Sequence, residues 1–187
     1  MTCIVGLEHQ GSVWMGADSL SSNSVLTWTK HRTDAKIFRV GDMLLGFCGS
    51  PRVAQAIRYG FKPPAHPKRE TTPRYLVNRF VPALRKFLMA AGTANEDKKQ
   101  ESIAGSSSFL LAYRGRLFAV WDNYQVDRYA HGYAATGSGY QLAMGAMHVM
   151  RGCDYWHPGN IIRKALAAAA EHDPGVGRPF IVRHMKG

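Results

Sequence analysis

Thr2-Cys3-Ile4-Val5-Gly6-Leu7-Glu8-His9-Gln10-Gly11-Ser12-Val13-Trp14-Met15-Gly16-Ala17-Asp18-Ser19 follows Met1 directly. Two short runs rich in apolar and β-branched residues flank Gln10-Gly11, a pair suited to a tight turn. The stretch therefore predicts a β-hairpin, with arms Thr2–His9 and Ser12–Asp18. After the polar connection Ser19–Thr33 the pattern repeats. Ala35–Val40, a turn at Gly41-Asp42 and Met43–Cys48 predict a second hairpin.

Helices come next. Ser50-Pro51 reads as a cap and first position of a helix running to about Tyr59 and stopping at Gly60. Thr72-Pro73 opens a longer helix after a proline-rich loop. Its apolar residues Leu76, Phe80, Leu84, Phe87, Leu88 and Ala91 recur at three- and four-residue steps, as one buried face requires. Pro82 is expected to kink it. Gly92–Ser106 is a polar, charged connection. Strands are predicted again at Ser108–Tyr113 and Arg116–Trp121, with a shorter pair at Gln125–Ala130 and Tyr133–Thr136. Gly137-Ser138-Gly139 is a strand-to-helix junction before helices Tyr140–Arg151 and Pro158–His172, and Pro179–His184 is a last strand. An order of strands, helices, strands, helices and strand predicts two antiparallel sheets with helices outside both, in one domain spanning residues 1–187.

Composition narrows the classes. Among 187 residues, 45% are hydrophobic, enough for a substantial core. No run of 18 or more apolar residues predicts a membrane span. No basic region with a following apolar run predicts a signal peptide. Cys3, Cys48 and Cys153 are an odd, widely spaced set, fitting a reduced compartment and a cytoplasmic location. No spacing suggests a zinc site. The net charge of +11 invites a nucleic-acid reading, but the basic residues are scattered and carry no nucleic-acid-binding motif, so a solvated basic surface is expected.

The common catalytic signatures are missing. There is no G-x-S-x-G elbow and no H-E-x-x-H helix, and the eight histidines are dispersed. Thr2 is the exception. A small second residue permits removal of Met1, and a freed Thr2 would carry a hydroxyl nucleophile and an α-amine in one residue. That amine titrates near neutrality and suits the role of base. Thr after Met is common, however, and Thr2 alone carries little weight.

The surrounding pattern carries more. Thr2-Cys3-Ile4-Val5-Gly6 and Gly16-Ala17-Asp18-Ser19 resemble the opening of proteasome β-subunits and of HslV, members of the N-terminal-nucleophile (Ntn) hydrolases. Asp34-Ala35-Lys36-Ile37-Phe38-Arg39-Val40-Gly41-Asp42 resembles the strand and turn that hold the family's catalytic lysine. Leu44-Leu45-Gly46-Phe47-Cys48-Gly49-Ser50 resembles its oxyanion segment, and Ala135-Thr136-Gly137-Ser138-Gly139 its A-I-G-S-G motif. The resemblance covers about the first 55 residues and residues 134–150 well. It implies an α+β fold, a four-layer αββα sandwich.

It also implies a site. Thr2 would be the nucleophile, Lys36 the cation beside its developing alkoxide, and Asp18 the partner that holds Lys36. The Gly46 N–H would receive the oxyanion, and Ser138 would bond the α-amine. Ser22, Phe47 and Cys48 match positions that pair with a substrate strand. The bland roles are a strand-end cap for Asp18, a surface cation for Lys36, a bulge for Gly46 and a helix cap for Ser138.

The activity so implied is that of a threonine-type peptidase, a subunit of a self-compartmentalising ring or double ring of its own copies. It would act on unfolded polypeptide and could work with a separate ATPase unfoldase. No cofactor is implied as required, no metal ligand set is seen, and no clear motif supports a monovalent cation. The family's remaining site-proximal loop matches either Gly152–Tyr155 or Glu171–Gly177. The alternatives are a catalytically silent proteasome-fold subunit with an assembly role in a larger particle, and a hydrolase of a small amide.

Overall fold

The computed structural model describes residues 1–22, 29–31, 34–95, 102–152 and 156–187. The strands are β1 (Cys3–His9), β2 (Ser12–Ala17), β3 (Leu20–Ser22), β4 (Thr29–His31), β5 (Ile37–Val40) and β6 (Met43–Cys48). They continue with β7 (Ala94–Asn95), β8 (Ser102–Ile103), β9 (Ser108–Tyr113), β10 (Arg116–Val120), β11 (Val126–Asp127), β12 (Tyr133–Gly137) and β13 (Ile181–Lys186). The helices are α1 (Pro51–Gly60), α2 (Thr72–Tyr75), α3 (Val81–Ala90), α4 (Tyr140–Met150) and α5 (Pro158–His172), with a π-helical segment, Leu76–Phe80, joining α2 to α3.

Two antiparallel sheets form the centre. One runs in the order β12-β1-β2-β13, the other β11-β10-β9-β6-β5. Side chains alternate across each strand, and β1 shows what that does in a four-layer fold. Cys3, Val5 and Leu7 point to the helix side, where they meet Ile161, Ile162, Ala165 and Leu166 of α5. Ile4 points the other way, into the space between the sheets, among Met15, Leu44, Leu110 and Leu117. Both faces are buried, so β1 reads as a continuous apolar run. The second sheet buries its outer face, with Leu45, Phe109 and Leu111, against Leu76, Phe80, Leu84 and Leu88. The architecture is the expected four-layer αββα sandwich.

Glycine sets how closely the layers approach. A Cβ on Gly16 would lie 2.2 Å from Ile162 Cγ2, so α5 can rest on β2 only because that side chain is missing.

Several details differ from the sequence expectation. Residues 125–130 and 133–136 do not pair with each other. β11 joins the edge of the second sheet through β10, while β12 crosses to the first sheet and pairs with β1. Pro82 is absorbed by the π-helical turn before it, where the Val81 N–H reaches back to the Leu76 carbonyl. Proline brings no N–H, and its ring must clear the carbonyl four residues earlier, so widening that turn relieves the clash. Ser50 does not cap α1 with its side chain; its own N–H donates to Ser107 Oγ at 3.0 Å. The second long helix is preceded by Thr71 as its cap residue and begins at Thr72. The polar connection 92–106 carries the small β7–β8 pair.

Candidate active site

The first hairpin turns at Gln10 and Gly11, both with left-handed φ, and so holds Asp18 opposite Cys3, next to Thr2. The Asp18 N–H donates to the Cys3 carbonyl at 3.2 Å, and the Cys3 N–H donates to Asp18 Oδ1 at 3.0 Å. The carboxylate is buried beside the head of β1. Its second oxygen accepts from the Leu20 N–H at 3.0 Å and from the Gly177 N–H at 3.3 Å.

Lys36 enters from the other sheet, at the residue before β5. Its Nζ lies 2.7 Å from Asp18 Oδ1, with the two side chains only 5% and 0% exposed. The same Nζ donates to Thr2 Oγ1 at 3.0 Å and to the Met1 carbonyl at 3.4 Å. A buried ammonium that meets a carboxylate and a hydroxyl at once is a positioned charge, not a solvated one. This removes the surface-cation reading of Lys36.

Ser138 closes the site from β12. Its Oγ accepts from the Thr2 N–H and donates to the Thr2 carbonyl, each at 3.3 Å. The helix-cap reading fails here, because Gly139 precedes α4 and no side chain caps it. Gly137 makes the approach possible. It has φ +101°, and a Cβ there would lie 2.1 Å from the Thr2 carbonyl oxygen. Ser108 Oγ and Thr136 Oγ1 bond at 2.6 Å across the two sheets and brace the same corner.

Thr2, Asp18, Lys36 and Ser138 thus converge. Gly46 is bound up in a different contact. It stands in mid-β6 opposite Ile37 and Leu110, and a Cβ there would lie 2.5 Å from Ile4 Cγ2 and 2.7 Å from Met15 Sδ. Packing between the sheets therefore explains its missing side chain. The next residue, Phe47, donates its N–H to the Lys36 carbonyl at 2.9 Å. Phe47 also lines a small cleft beside Thr2 with Lys36, Phe38, Ala54 and Arg58. Cys48 is half-buried, and its Sγ is 3.3 Å from the point a Cβ of Gly137 would occupy. Burial pushes the Cys48 thiol pKa up, against the pull of Lys36 and the terminal amine. Ser22 ends β3 opposite Thr29; its side chain lies outside the described residues.

The sequence left the last loop open between two stretches. The structure brings in 173–177: the Ser19 N–H donates to the Gly177 carbonyl at 3.1 Å, and Gly177 supports Asp18. Of the other stretch, residues 153–155 lie outside the described residues. The turn Asp173-Pro174-Gly175 was the available signal, but nothing in it names Asp18 as the partner. Met1 lies against this loop, and its side chain fills the space a Gly175 Cβ would take. The Met1 carbonyl accepts the Thr2 hydroxyl at 2.5 Å. Among the described residues no cluster of His, Cys, Asp or Glu is arranged to hold a metal ion, and no helix is long and apolar enough to cross a membrane.

Comparison with solved structures decides the fold. BPH of Thiobacillus denitrificans superposes with a TM-score of 0.80 at 23% identity, covering 99% of this chain and 98% of that one. The chain has the HslV- and proteasome-like Ntn-hydrolase fold. The same BPH in complex with epoxomicin matches at 21% identity with a TM-score of 0.80, again over 99% and 98%. Eukaryotic HslV from Trypanosoma brucei matches at 18% identity with a TM-score of 0.72 over the whole of both chains. No protein-family model matches the sequence. No curated protein matches it. At these identities the proteasome-like likeness speaks for the fold, and the chemistry rests on the side chains described above.

Proposed function

We propose that this chain is a threonine-type peptidase, active once Met1 has been removed. The observation that carries the reading is Lys36 Nζ, held by Asp18 and donating to Thr2 Oγ1 inside a buried site.

Removal of Met1 would turn the Thr2 amide nitrogen into an amine. Ser138 Oγ already bonds that nitrogen and would orient it. Thr2 Oγ1 then attacks a peptide carbonyl, and its proton passes to the amine. The Lys36 ammonium stabilises charge growing on the hydroxyl oxygen, and it costs little reorganisation because Asp18 fixes it beforehand. A backbone N–H, assigned to Gly46 by its sequence position, would hold the oxyanion. The tetrahedral intermediate collapses as the peptide C–N bond breaks, and the α-ammonium of Thr2 hands its proton to the leaving amine. Water, giving a proton to the same α-amine, then attacks the threonyl ester, and that proton returns to Thr2 Oγ1 as the acid product leaves. The cleft beside Thr2 and the positions of Ser22, Phe47 and Cys48 would receive the substrate. Self-assembly into a ring, unfolded polypeptide as substrate and an ATPase partner extend the same reading.

One observation favours a second reading, a silent subunit. With Met1 in place the Thr2 nitrogen is an amide and cannot act as a base, and Met1 is accommodated against Gly175.

The two are separated by intact mass of the native protein, combined with labelling by an electrophilic peptide and inhibition by epoxomicin, the compound held by BPH. Peptidase action requires loss of Met1 and label on Thr2, with no label or hydrolysis in Thr2→Ala. A protein that keeps Met1 and takes no label is the silent subunit.

A further inference from the structure

Away from Thr2, on the outer layer, α5 turns a basic face to solvent. Its inner face, Ile161, Ile162, Ala165 and Leu166, is spent on the first sheet. Its outer face presents Arg163, Lys164 and Ala167, at the spacing that puts them on neighbouring ridges. The segment leading into β13, Arg178-Pro179-Phe180, forms the opposite wall of a hollow of about 720 Å³. A second hollow of about 410 Å³ continues it toward Trp156 and shares Arg163 and Lys164. Both are shallow hollows open to solvent.

The cations in this trough are oriented by groups that leave their charge intact. Arg163 donates one N–H to the Phe180 carbonyl at 3.3 Å. The Arg178 guanidinium lies 4.8 Å from the Phe180 ring centre, and Lys164 Nζ lies 4.7 Å from that of Trp156. Among the described residues no carboxylate lines either hollow. The contrast is with Arg58, Arg79, Arg116 and Arg128, each of which has an acidic partner. Ala167 supplies a floor without bulk. A guanidinium has five donors, so Arg163 keeps most of its own for a ligand.

We propose that this trough binds an oligophosphate, free or carried on a nucleotide. Two guanidinium forks and an ammonium match the geometry and charge of linked phosphates. The site does not depend on Thr2 chemistry.

The test is calorimetric titration of the assembled protein with sodium tripolyphosphate and, separately, with ATP. Arg163→Ser and Arg178→Ser should each weaken binding about tenfold or more, since bonds to charged groups are worth that much. Ala167→Glu, which places a carboxylate on the floor, should abolish binding while the melting temperature stays close to that of the parent. Equal affinity for the two probes assigns the phosphates alone; tighter ATP binding adds a ring contact at Trp156 or Phe180. The proposal is overturned if neither probe binds, if only a nucleic acid does, or if Lys62→Ser with Arg69→Ser weakens binding as much as the trough variants.

Discussion

Asp18 and Lys36 form a buried ion pair at 2.7 Å that joins the two sheets of the sandwich at the head of β1. Each comes from a different sheet, so the pair is a structural tie as well as a feature of the site. Breaking one partner of a buried pair leaves an uncompensated charge and typically costs about 3–5 kcal/mol. Asp18→Asn keeps the shape, but its single oxygen can keep either the Cys3 bond or the bonds from Leu20 and Gly177. It should lower the urea unfolding free energy by about 2–4 kcal/mol and reduce Thr2 labelling at least about a hundredfold. Unchanged labelling in a folded Asp18→Asn protein would remove Lys36 from the chemistry.

Gly137 gives a sharper local test. Its φ of +101° and its contact with the Thr2 carbonyl both exclude a side chain. Gly137→Ala should cost about 2–3 kcal/mol or more, because strain and overlap act together. Its effect on labelling should exceed that of Gly46→Ala, whose Cβ meets Ile4 and Met15 between the sheets. Thermal melts and labelling rates of the two variants decide the order.

Gly175 separates the two states of the N-terminus. Its φ is ordinary for any residue, yet a Cβ would overlap Met1 Cβ and Sδ. Gly175→Ala should lower the melting temperature of protein that retains Met1 and leave protein without Met1 nearly unchanged. Melting curves of both forms, made with and without an aminopeptidase step, provide the check. Equal destabilisation of the two would mean that Met1 does not pack there.

The Cys3 thiol adds a pH dependence. Burial first, and the Asp18 carboxylate second, push its pKa from 9.0 up to about 12. Below pH 9 it is neutral in the folded and unfolded chain alike. Between 9 and about 12 only the unfolded chain ionises, so stability is lost as pH rises, at up to about 1.4 kcal/mol per unit. Cys3→Ala should flatten this slope in urea titrations above pH 9. Part of the slope should remain, since burial also raises Tyr75 from 10.0 to about 12. At pH about 8 an alkylating reagent should reach Cys48 before Cys3.

What the sequence disclosed follows the range of the forces involved. The two hairpins were legible because Gln10-Gly11 and Gly41-Asp42 set the turn locally. α5 was legible at both ends, from Pro158 and from the turn after His172. The partner of Tyr133–Gly137 was not, because apolar strands carry no label saying which distant edge they join. Ser50 and Ser138 have the composition of helix caps, and tertiary contacts with Ser107 and Thr2 took them instead. Thr2, Asp18, Lys36 and Ser138 are linked by hydrogen bonds, and residue type and order had singled them out; the roles given to them remain a proposal. Gly177 did not announce itself, because a backbone N–H on Asp18 leaves no mark on residue type.

The pairing of β1 with β12 has a consequence for when the molecule becomes chemically competent. Thr2 and Ser138 touch across 136 positions of chain, and loop closure of that length comes late relative to local hairpins. A nascent chain that has formed only its first two hairpins can bring Asp18 and Lys36 near Thr2. It cannot yet hold the threonine nitrogen. In the peptidase reading, Thr2 therefore cannot be held by Ser138 until residue 138 has been made, a delay that would keep the nucleophile unready during synthesis.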